Sequence, residues 1–129
     1  MIVAEMIASA LEDAEFPNVF PKVSPGYFHC EEPIVLLQGG FERESRIEGE
    51  ERGSVHVSVF VVRELPAEAE AVAIAAEKCV RGASWEPFAE SGPWRIVGID
   101  TTAPELSERD SSGRYVWQFE VEVTAVRSV

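Results

Sequence analysis

A run of alternating side chains between Arg114 and Val126 constrains the fold of this chain more than any other stretch. The residues at even-numbered positions are mainly polar. The residues at odd-numbered positions are apolar or aromatic: Tyr115, Trp117, Phe119, Val121, Val123 and Ala125. Period-two alternation is typical of a β-strand with one apolar face. Three large rings on that face require a cover, because exposing each to water would forfeit on the order of 2 kcal/mol. We therefore expect a long strand that crosses the sheet beneath a covering layer.

Two stretches have the apolar periodicity of amphipathic helices and can supply that layer. Within residues 2–14, apolar side chains recur at three- and four-residue spacings until Pro17 ends the pattern. A second helix is predicted from Pro66, where the missing N–H costs nothing, to Gly82. Its apolar stripe is narrow and made of small residues: Ala69, Val72, Ala73, Ala76, Cys79 and Val80. Such a stripe suits a helix that lies close against a sheet already carrying bulky side chains.

The chain between the two helices predicts an extended segment followed by a long β-hairpin. Residues 16–33 hold four prolines, which favours an edge-like segment over a central strand. Ile34–Leu37 is a short apolar run that suits the start of a strand. Alternation then continues to a reversal that we expect Gly49 and Gly53 to bracket. Residues 54–63 return with valine at every second position, which completes the hairpin.

The segment after the second helix predicts a closing pair of strands. Trp94–Ile99 reads as one strand, and residues 101–114 read as a polar connection. That connection closes at Asp110-Ser111-Ser112-Gly113, a turn signal, before the final strand. The sequence therefore predicts an α+β fold: a mostly antiparallel β-sheet with a long hairpin and two helices packed on one face. At 129 residues, we expect residues 1–129 to form a single domain.

The composition indicates an intracellular protein outside the membrane. No apolar run is long enough to span a bilayer, and the first residues lack the basic and apolar regions of a secretory signal. The two cysteines, Cys30 and Cys79, are more typical of buried thiols than of a disulfide framework.

No constellation of residues indicates catalysis, a cofactor or a metal site. The potential ligands His29, Cys30, His56 and Cys79 lack the spacing of zinc ligands. Nothing local marks Cys79 or His56 as an activated nucleophile or base, and no nucleophile elbow or phosphate-binding glycine loop is present. We therefore expect a protein that is not an enzyme and has no catalytic, cofactor-binding or metal-binding residue.

The net charge of −12, from 23 acidic and 11 basic residues, restricts the partners. Phosphate neutralisation needs clusters of lysine and arginine, so the charge argues against direct nucleic-acid binding, sequence-specific or otherwise. It is compatible with a surface past which DNA slides without adhering, or with a surface that imitates DNA.

The charged stretch of residues 41–54 leaves two interpretations open. It is either a solvated hairpin tip or an arm that docks on a neighbouring subunit or lines a channel. Arginines interleaved with glutamates suit ion pairs between subunits, and an exposed strand edge beside them can be extended by a neighbour's strand. The candidate interface residues are Phe41, Arg43, Arg46, Ile47 and Arg52.

The order of these elements resembles the tail terminator and small tail-completion proteins, often labelled minor capsid proteins, of long-tailed bacteriophages. The turn and strand that begin Asp110-Ser111-Ser112-Gly113-Arg114-Tyr115 carry most of the likeness. The resemblance implies a non-enzymatic protein that forms a six-membered ring, which caps the tail tube and joins it to the head connector. The implied partners are further copies of the chain and other phage tail and head-connector proteins. The implied locations are the bacterial cytoplasm during assembly and then the virion tail.

Two other functions compete with this interpretation. An acidic binding or inhibitor module that mimics DNA would place its acids along one face at phosphate-like spacing. A small α+β ligand-binding or enzymatic domain would have a deep cavity lined by Tyr115, Trp117 and Phe119.

Overall fold

The computed structural model describes residues 3–22, 30–47, 49–83 and 94–128, and they form two helices and six strands. The helices are α1 (Val3–Asp13) and α2 (Pro66–Gly82). The strands are β1 (Val19–Phe20), β2 (Ile34–Ile47), β3 (Glu50–Arg63), β4 (Trp94–Thr101), β5 (Glu105–Arg109) and β6 (Tyr115–Ser128). Neither of these helices has the length and apolar character needed to cross a membrane.

The six strands form one sheet in the order β1-β2-β3-β6-β4, and β5 also pairs with β6. All pairs are antiparallel except β1 with β2. The final strand β6 pairs with β3 along its whole length, from Tyr115 opposite Arg63 to Ser128 opposite Glu50. On its other edge, β6 pairs first with β5 and then with β4. The predicted α+β fold, with its long hairpin and mostly antiparallel sheet, is confirmed.

Both helices pack on the face formed by the odd-numbered side chains of β3 and β6. Val57, Val59 and Val61 of β3 are fully buried there. The small residues of α2 that lie against the sheet are also fully buried: Ala69, Ala73, Ala76 and Val80. Of the three rings of β6, Phe119 is 1% exposed, whereas Trp117 is partly buried at the border of the core. The apolar stripe of the sequence therefore belongs to this covered face.

The even-numbered side chains of β3 and β6 form the other face, which we call the open face. Among the described residues, no helix packs on it. His56 lies 3.2 Å from Glu122 across the strand pair, and the Ser58 hydroxyl donates a 2.7 Å hydrogen bond to Glu120. The open face is therefore largely polar along its centre.

Two expectations about the strands are wrong. The segment Glu105–Arg109, expected to be a polar connection, is the strand β5 and pairs with β6. All five of its residues are exposed, so no apolar alternation marks it. Gly53 does not bracket the hairpin reversal, because β3 already begins at Glu50 and Gly53 lies within it. The reversal lies between the end of β2 at Ile47 and the start of β3 at Glu50, and Gly49 there has φ +77°.

The turn before the final strand is confirmed. The carboxylate of Asp110 accepts hydrogen bonds from the backbone N–H groups of Ser112 and Arg114, and Gly113 adopts φ +81°. The guanidinium of Arg114 donates to the same carboxylate at 2.7 Å and to the backbone oxygens of Cys30 and Glu31. Burial raises the pKa of Asp110, but these bonds from Arg114 outweigh it and lower that pKa below its ordinary value. The turn therefore also fixes the chain that enters β2.

Candidate interaction site

Residues 41–54, which we call the arm, lie outside the core beneath the helices. No residue of the arm belongs to the buried apolar cluster formed by the helices and the covered face, as far as the described residues show. The arm is nevertheless part of the sheet, because β6 runs beside it with Val126 opposite Arg52 and Arg127 opposite Glu51. The register of β2 with β3 shifts twice here, between Gln38 and Phe41 and between Arg43 and Ser45. The arm is thus a paired extension of the sheet with an irregular register.

A buried carboxylate ties the two strands of the arm to β6. Glu51 is 2% exposed and accepts a 2.7 Å hydrogen bond from Nε of Arg43 at one oxygen. Its other oxygen accepts bonds of 2.9 and 2.7 Å from Nε and Nη2 of Arg127. The bonds from Arg127, followed by that from Arg43, hold the pKa of Glu51 below its ordinary value, although burial acts in the opposite direction. Glu51 is therefore ionised at neutral pH and orients both guanidinium groups.

Two aromatic rings extend this arrangement across β2, β3, β6 and β4. The ring centroids of Phe41 and Trp94 lie 4.6 Å apart with an interplanar angle of 54°. The guanidinium carbon of Arg127 lies 4.7 Å from the centroid of Trp94, at cation–π distance. We call Phe41, Arg43, Glu51, Trp94 and Arg127 the arm cluster. It connects four neighbouring strands at the end of the sheet where the arm lies.

The structure assigns different positions to the five candidate interface residues. Phe41 is 38% exposed and Arg43 has a side chain 57% exposed, and both belong to the arm cluster. Arg46 is exposed and stands opposite Glu51, with no acid within ion-pair distance among the described residues. Arg52 lies outside the cluster, 3.9 Å from Glu44. The side chain of Ile47 lies outside the described part of the structure.

Three members of the arm cluster were not predicted from the sequence. Glu51 is one of several glutamates in the arm, and nothing in its neighbours marks it as the buried one. Trp94 and Arg127 are distant from the arm in sequence, and only the register of β6 with β3 and β4 places them beside it. No local pattern could have identified them.

Among the cavities that described residues line, two small ones lie at the surface of the sheet. One, of about 190 Å³, borders the arm cluster and is lined by Gln38, Gly39, Gly40, Phe41, Val55 and Trp94. The other, of about 230 Å³, lies on the open face and is lined by Val35, Leu37, Phe60, Val62, Glu108, Asp110 and Val116. Both are smaller than the roughly 300–1,000 Å³ typical of small-molecule pockets. Neither is lined by Tyr115, Trp117 or Phe119, the residues named above for a ligand cavity.

The residues considered for chemistry are not brought together. His56 lies on the open face, whereas Cys79 belongs to α2 on the covered face, where its thiol is 3.7 Å from the backbone oxygen of Ala10. Burial raises the pKa of the Cys79 thiol, which opposes thiolate formation. Within residues 3–22, 30–47, 49–83 and 94–128, no three His, Cys, Asp or Glu side chains form a group that could hold a metal ion. His29 lies outside these ranges.

Comparison with models of known protein families finds no match to this sequence. Comparison with the sequences of curated proteins also finds no match.

Proposed function

We propose that this chain is a non-enzymatic structural subunit of a bacteriophage tail. In this role, copies of the chain associate head to tail into a ring of the tail-terminator type, which caps the tail tube and joins it to the head connector. The chain would assemble in the bacterial cytoplasm and remain in the virion tail. The further partners are the tail and head-connector proteins that the two rims of the ring contact.

The observation that carries the proposal is the ordered, exposed arm. A solvated hairpin tip has no need of a buried carboxylate, yet Glu51 is 2% exposed and holds two arginines. An ordered side chain costs about 0–2 kcal/mol of conformational entropy, so groups fixed before association lower the cost of binding. Phe41 and Arg46 remain exposed on this fixed framework. These are the features of a preorganised contact surface.

The edges of the sheet support the same function. On the outer edge of β2, β1 pairs only with Ile34 and Val35, and no other described strand pairs with that edge. The outer edge of β4 also has no partner strand among the described residues. Both edges carry exposed apolar side chains, Leu37 on β2 and Val97 on β4, each 45% exposed. A subunit with contact elements on two opposite edges can form the heterologous interfaces that a closed ring requires.

The open face supports a position next to DNA. Asp100 of β4 lies directly opposite Glu122 of β6. Glu120 precedes Glu122 by two positions in β6 and lies on the same face. Like charges placed directly opposite each other in a sheet are unfavourable, so this row is tolerated at a local cost. An acidic wall allows DNA to pass through a lumen without adhering to it. We therefore orient the open face toward the lumen of the proposed ring.

The test is to remove most of the arm while keeping the pairing of β2 with β3 up to Glu42 and Ser54. Residues 43–53 are replaced by Asn-Gly, which joins Glu42 to Ser54, its cross-strand partner, through a two-residue turn. We expect the circular dichroism spectrum of a folded chain and the loss of rings by electron microscopy. In a terminator-deficient mutant of the phage that encodes the chain, the variant should also fail to complete tails.

The matched control retains the arm and changes only its turn, with Gly49→Asn. Asparagine tolerates the positive φ of this position, so rings and tail completion should persist. A shortened variant that folds and still completes tails would contradict the proposal, as would a wild-type chain that forms no ring either alone or on isolated tail tubes.

A further inference from the structure

We propose that the arm surface of one copy binds the acidic C-terminal end of α1 on the next copy. This inference rests on the proposed function and names the two surfaces that meet. The arm surface consists of Phe41, Arg43, Arg46, Trp94 and Arg127, which surround Glu51. The acidic end consists of Glu12, Asp13 and Glu15.

The arm surface is locally basic in a chain whose net charge is −12. On the side of the arm that carries Glu51, Arg43, Arg46 and Arg127 stand against that single negative charge. The other described acids of the arm, Glu42, Glu44 and Glu50, lie next to Ser54, Arg52 and Ser128, respectively. Arg43 uses only Nε for the Glu51 contact, so its Nη donors take no part in that bond. With the exposed ring of Phe41 beside them, these groups suit a partner that is acidic at its centre and apolar at its border.

Among the described residues, no base lies within ion-pair distance of the acidic end of α1. Glu12, Asp13 and Glu15 are exposed, and the first 21 residues contain no lysine or arginine. Glu12 and Asp13 lie in the last turn of the helix, where the dipole is negative and where no basic residue is present. Some other exposed acids have a base nearby, such as Glu44 with Arg52 and Glu68 with Arg63. A cationic partner is therefore favourable at this end of α1, where the helix dipole adds to the negative charge.

The two surfaces lie at opposite ends of the subunit, so they cannot meet within one chain. The beginning of α1 lies near the middle of the sheet, because the N–H of Ala4 donates at 2.8 Å to the side-chain oxygen of Gln38, which stands opposite Val57 of β3. The chain after α1 reaches the start of β2, where the N–H of Ile34 donates to the backbone oxygen of Asn18. Contact between the surfaces must therefore join two copies head to tail, in the heterologous manner that the proposed ring requires.

Two charge-reversal variants test this contact, Arg46→Glu on the arm and Glu12→Lys on α1. Both residues are exposed and, as far as the described residues show, neither makes an ion pair within its chain, so neither variant removes an ion pair of the fold. Arg95→Glu is the matched control, because Arg95 is an exposed arginine of β4 that lies opposite Val126 on the open face. Self-association is measured by sedimentation velocity at low salt and by electron microscopy of the chain on tail tubes.

We expect each charge-reversal variant to self-associate about tenfold more weakly than the wild type, whereas Arg95→Glu should behave like the wild type. An equimolar mixture of the Arg46→Glu and Glu12→Lys chains should associate again, because each supplies the surface that the other lacks. Raising the salt concentration should weaken the wild-type contact. These three results together support the inference.

Several outcomes would overturn the inference while leaving the proposed function intact. Rings that form equally well from wild-type and charge-reversed chains would exclude these surfaces, as would a mixture that remains monomeric. Binding of a fluorescent single-stranded oligonucleotide that is lost in Arg46→Glu but kept in Arg95→Glu would assign the arm surface to nucleic acid instead. A wild-type chain that never forms rings, alone or on tail tubes, would refute the proposed function itself.

Discussion

The ring of Phe41 lies over Gly53 so closely that a β-carbon at position 53 would overlap two of its ring atoms. It would also overlap the backbone oxygen of Glu42, which cannot move as a side chain can. Gly53 is therefore required by packing and not by backbone conformation, since it lies within the strand β3. The contact places the Phe41 ring against the strand and beside Trp94.

Gly53→Ala should destabilise the chain by about 1–3 kcal/mol, because the added methyl group forces either Phe41 or the β2 backbone to shift. Gly40→Ala is the matched control, since a β-carbon there would meet no atom within 4 Å, and its effect should stay within about 0.5 kcal/mol. Urea unfolding measures both. Equal free energies of unfolding for the two variants would show that the Phe41 ring does not occupy this position.

Glu51→Gln should destabilise the chain in a pH-dependent way. The lowered pKa of Glu51 means that its contribution to stability is present above the pKa of a glutamate in the unfolded chain. That contribution disappears as the pH falls through the lower pKa of the folded state. The difference in unfolding free energy between wild type and Glu51→Gln should therefore be largest near neutral pH and shrink in acid.

Urea unfolding over a pH series measures this difference. Glu50→Gln is the control, because Glu50 is an exposed neighbour without an ion pair among the described residues. A Glu51→Gln difference that stays constant down to acidic pH would refute the ionised, arginine-bound state of Glu51.

Phe119→Ala should cost about 3–5 kcal/mol of unfolding free energy, because the ring is 1% exposed within the core beneath both helices. Trp117→Ala should cost less, since Trp117 packs only at the border of that core. Leu106→Ala, at a side chain 52% exposed on β5, should change stability by less than about 1 kcal/mol. If denaturant unfolding showed a larger loss of unfolding free energy for Trp117→Ala than for Phe119→Ala, the core would be centred on Trp117 and not on Phe119.

Glu15→Gly should stabilise the chain by about 1 kcal/mol. Glu15 has φ +68° at the position after α1 that glycine usually occupies, and the N–H of Phe16 bonds to the backbone oxygen of Leu11 across it. Glu12→Gly makes the same charge change inside the helix and should instead destabilise by about 1 kcal/mol. The stability of the two variants is compared by thermal unfolding at high salt, which screens the effect of the charge that each variant removes. A lower stability for Glu15→Gly would show that the side chain itself supports the turn.

The elements marked by periodicity could be predicted from the sequence, and they include most of the fold. The alternation that ends at Val126 predicts the strand β6, and the alanine-rich stripe that begins at Ala69 predicts the helix α2. The strand β5 could not be predicted in this way, because all of its residues are exposed and its pairing depends on the exposed edge of β6. Apolar periodicity arises when one face of a strand is buried, so a strand that is exposed on both faces has no such pattern.

The candidate site was only partly predictable for a different reason. Phe41, Arg43 and Arg46 stand in one unusual charged stretch and could be singled out together. Arg127 joins them only through a register that spans 76 residues of sequence, and Trp94 only through the pairing of β4 with β6. The charged stretch predicts that Arg43 serves a neighbouring subunit. In the structure, Nε of Arg43 already donates to Glu51 of the same chain. Such contacts depend on the register between strands that are distant in sequence, and a local sequence pattern does not specify that register.

The central position of β6 in the sheet has a consequence for synthesis. This strand follows β3, β4 and β5 in the chain, yet it pairs with all three. While the ribosome produces the chain, the hairpin of β2 and β3 emerges before β6 and must keep one edge of β3 unpaired until β6 appears. Folding is therefore dominated by contacts that close late, which slows it and exposes the nascent hairpin to aggregation. A cell that makes this protein in quantity would rely on chaperones during that interval.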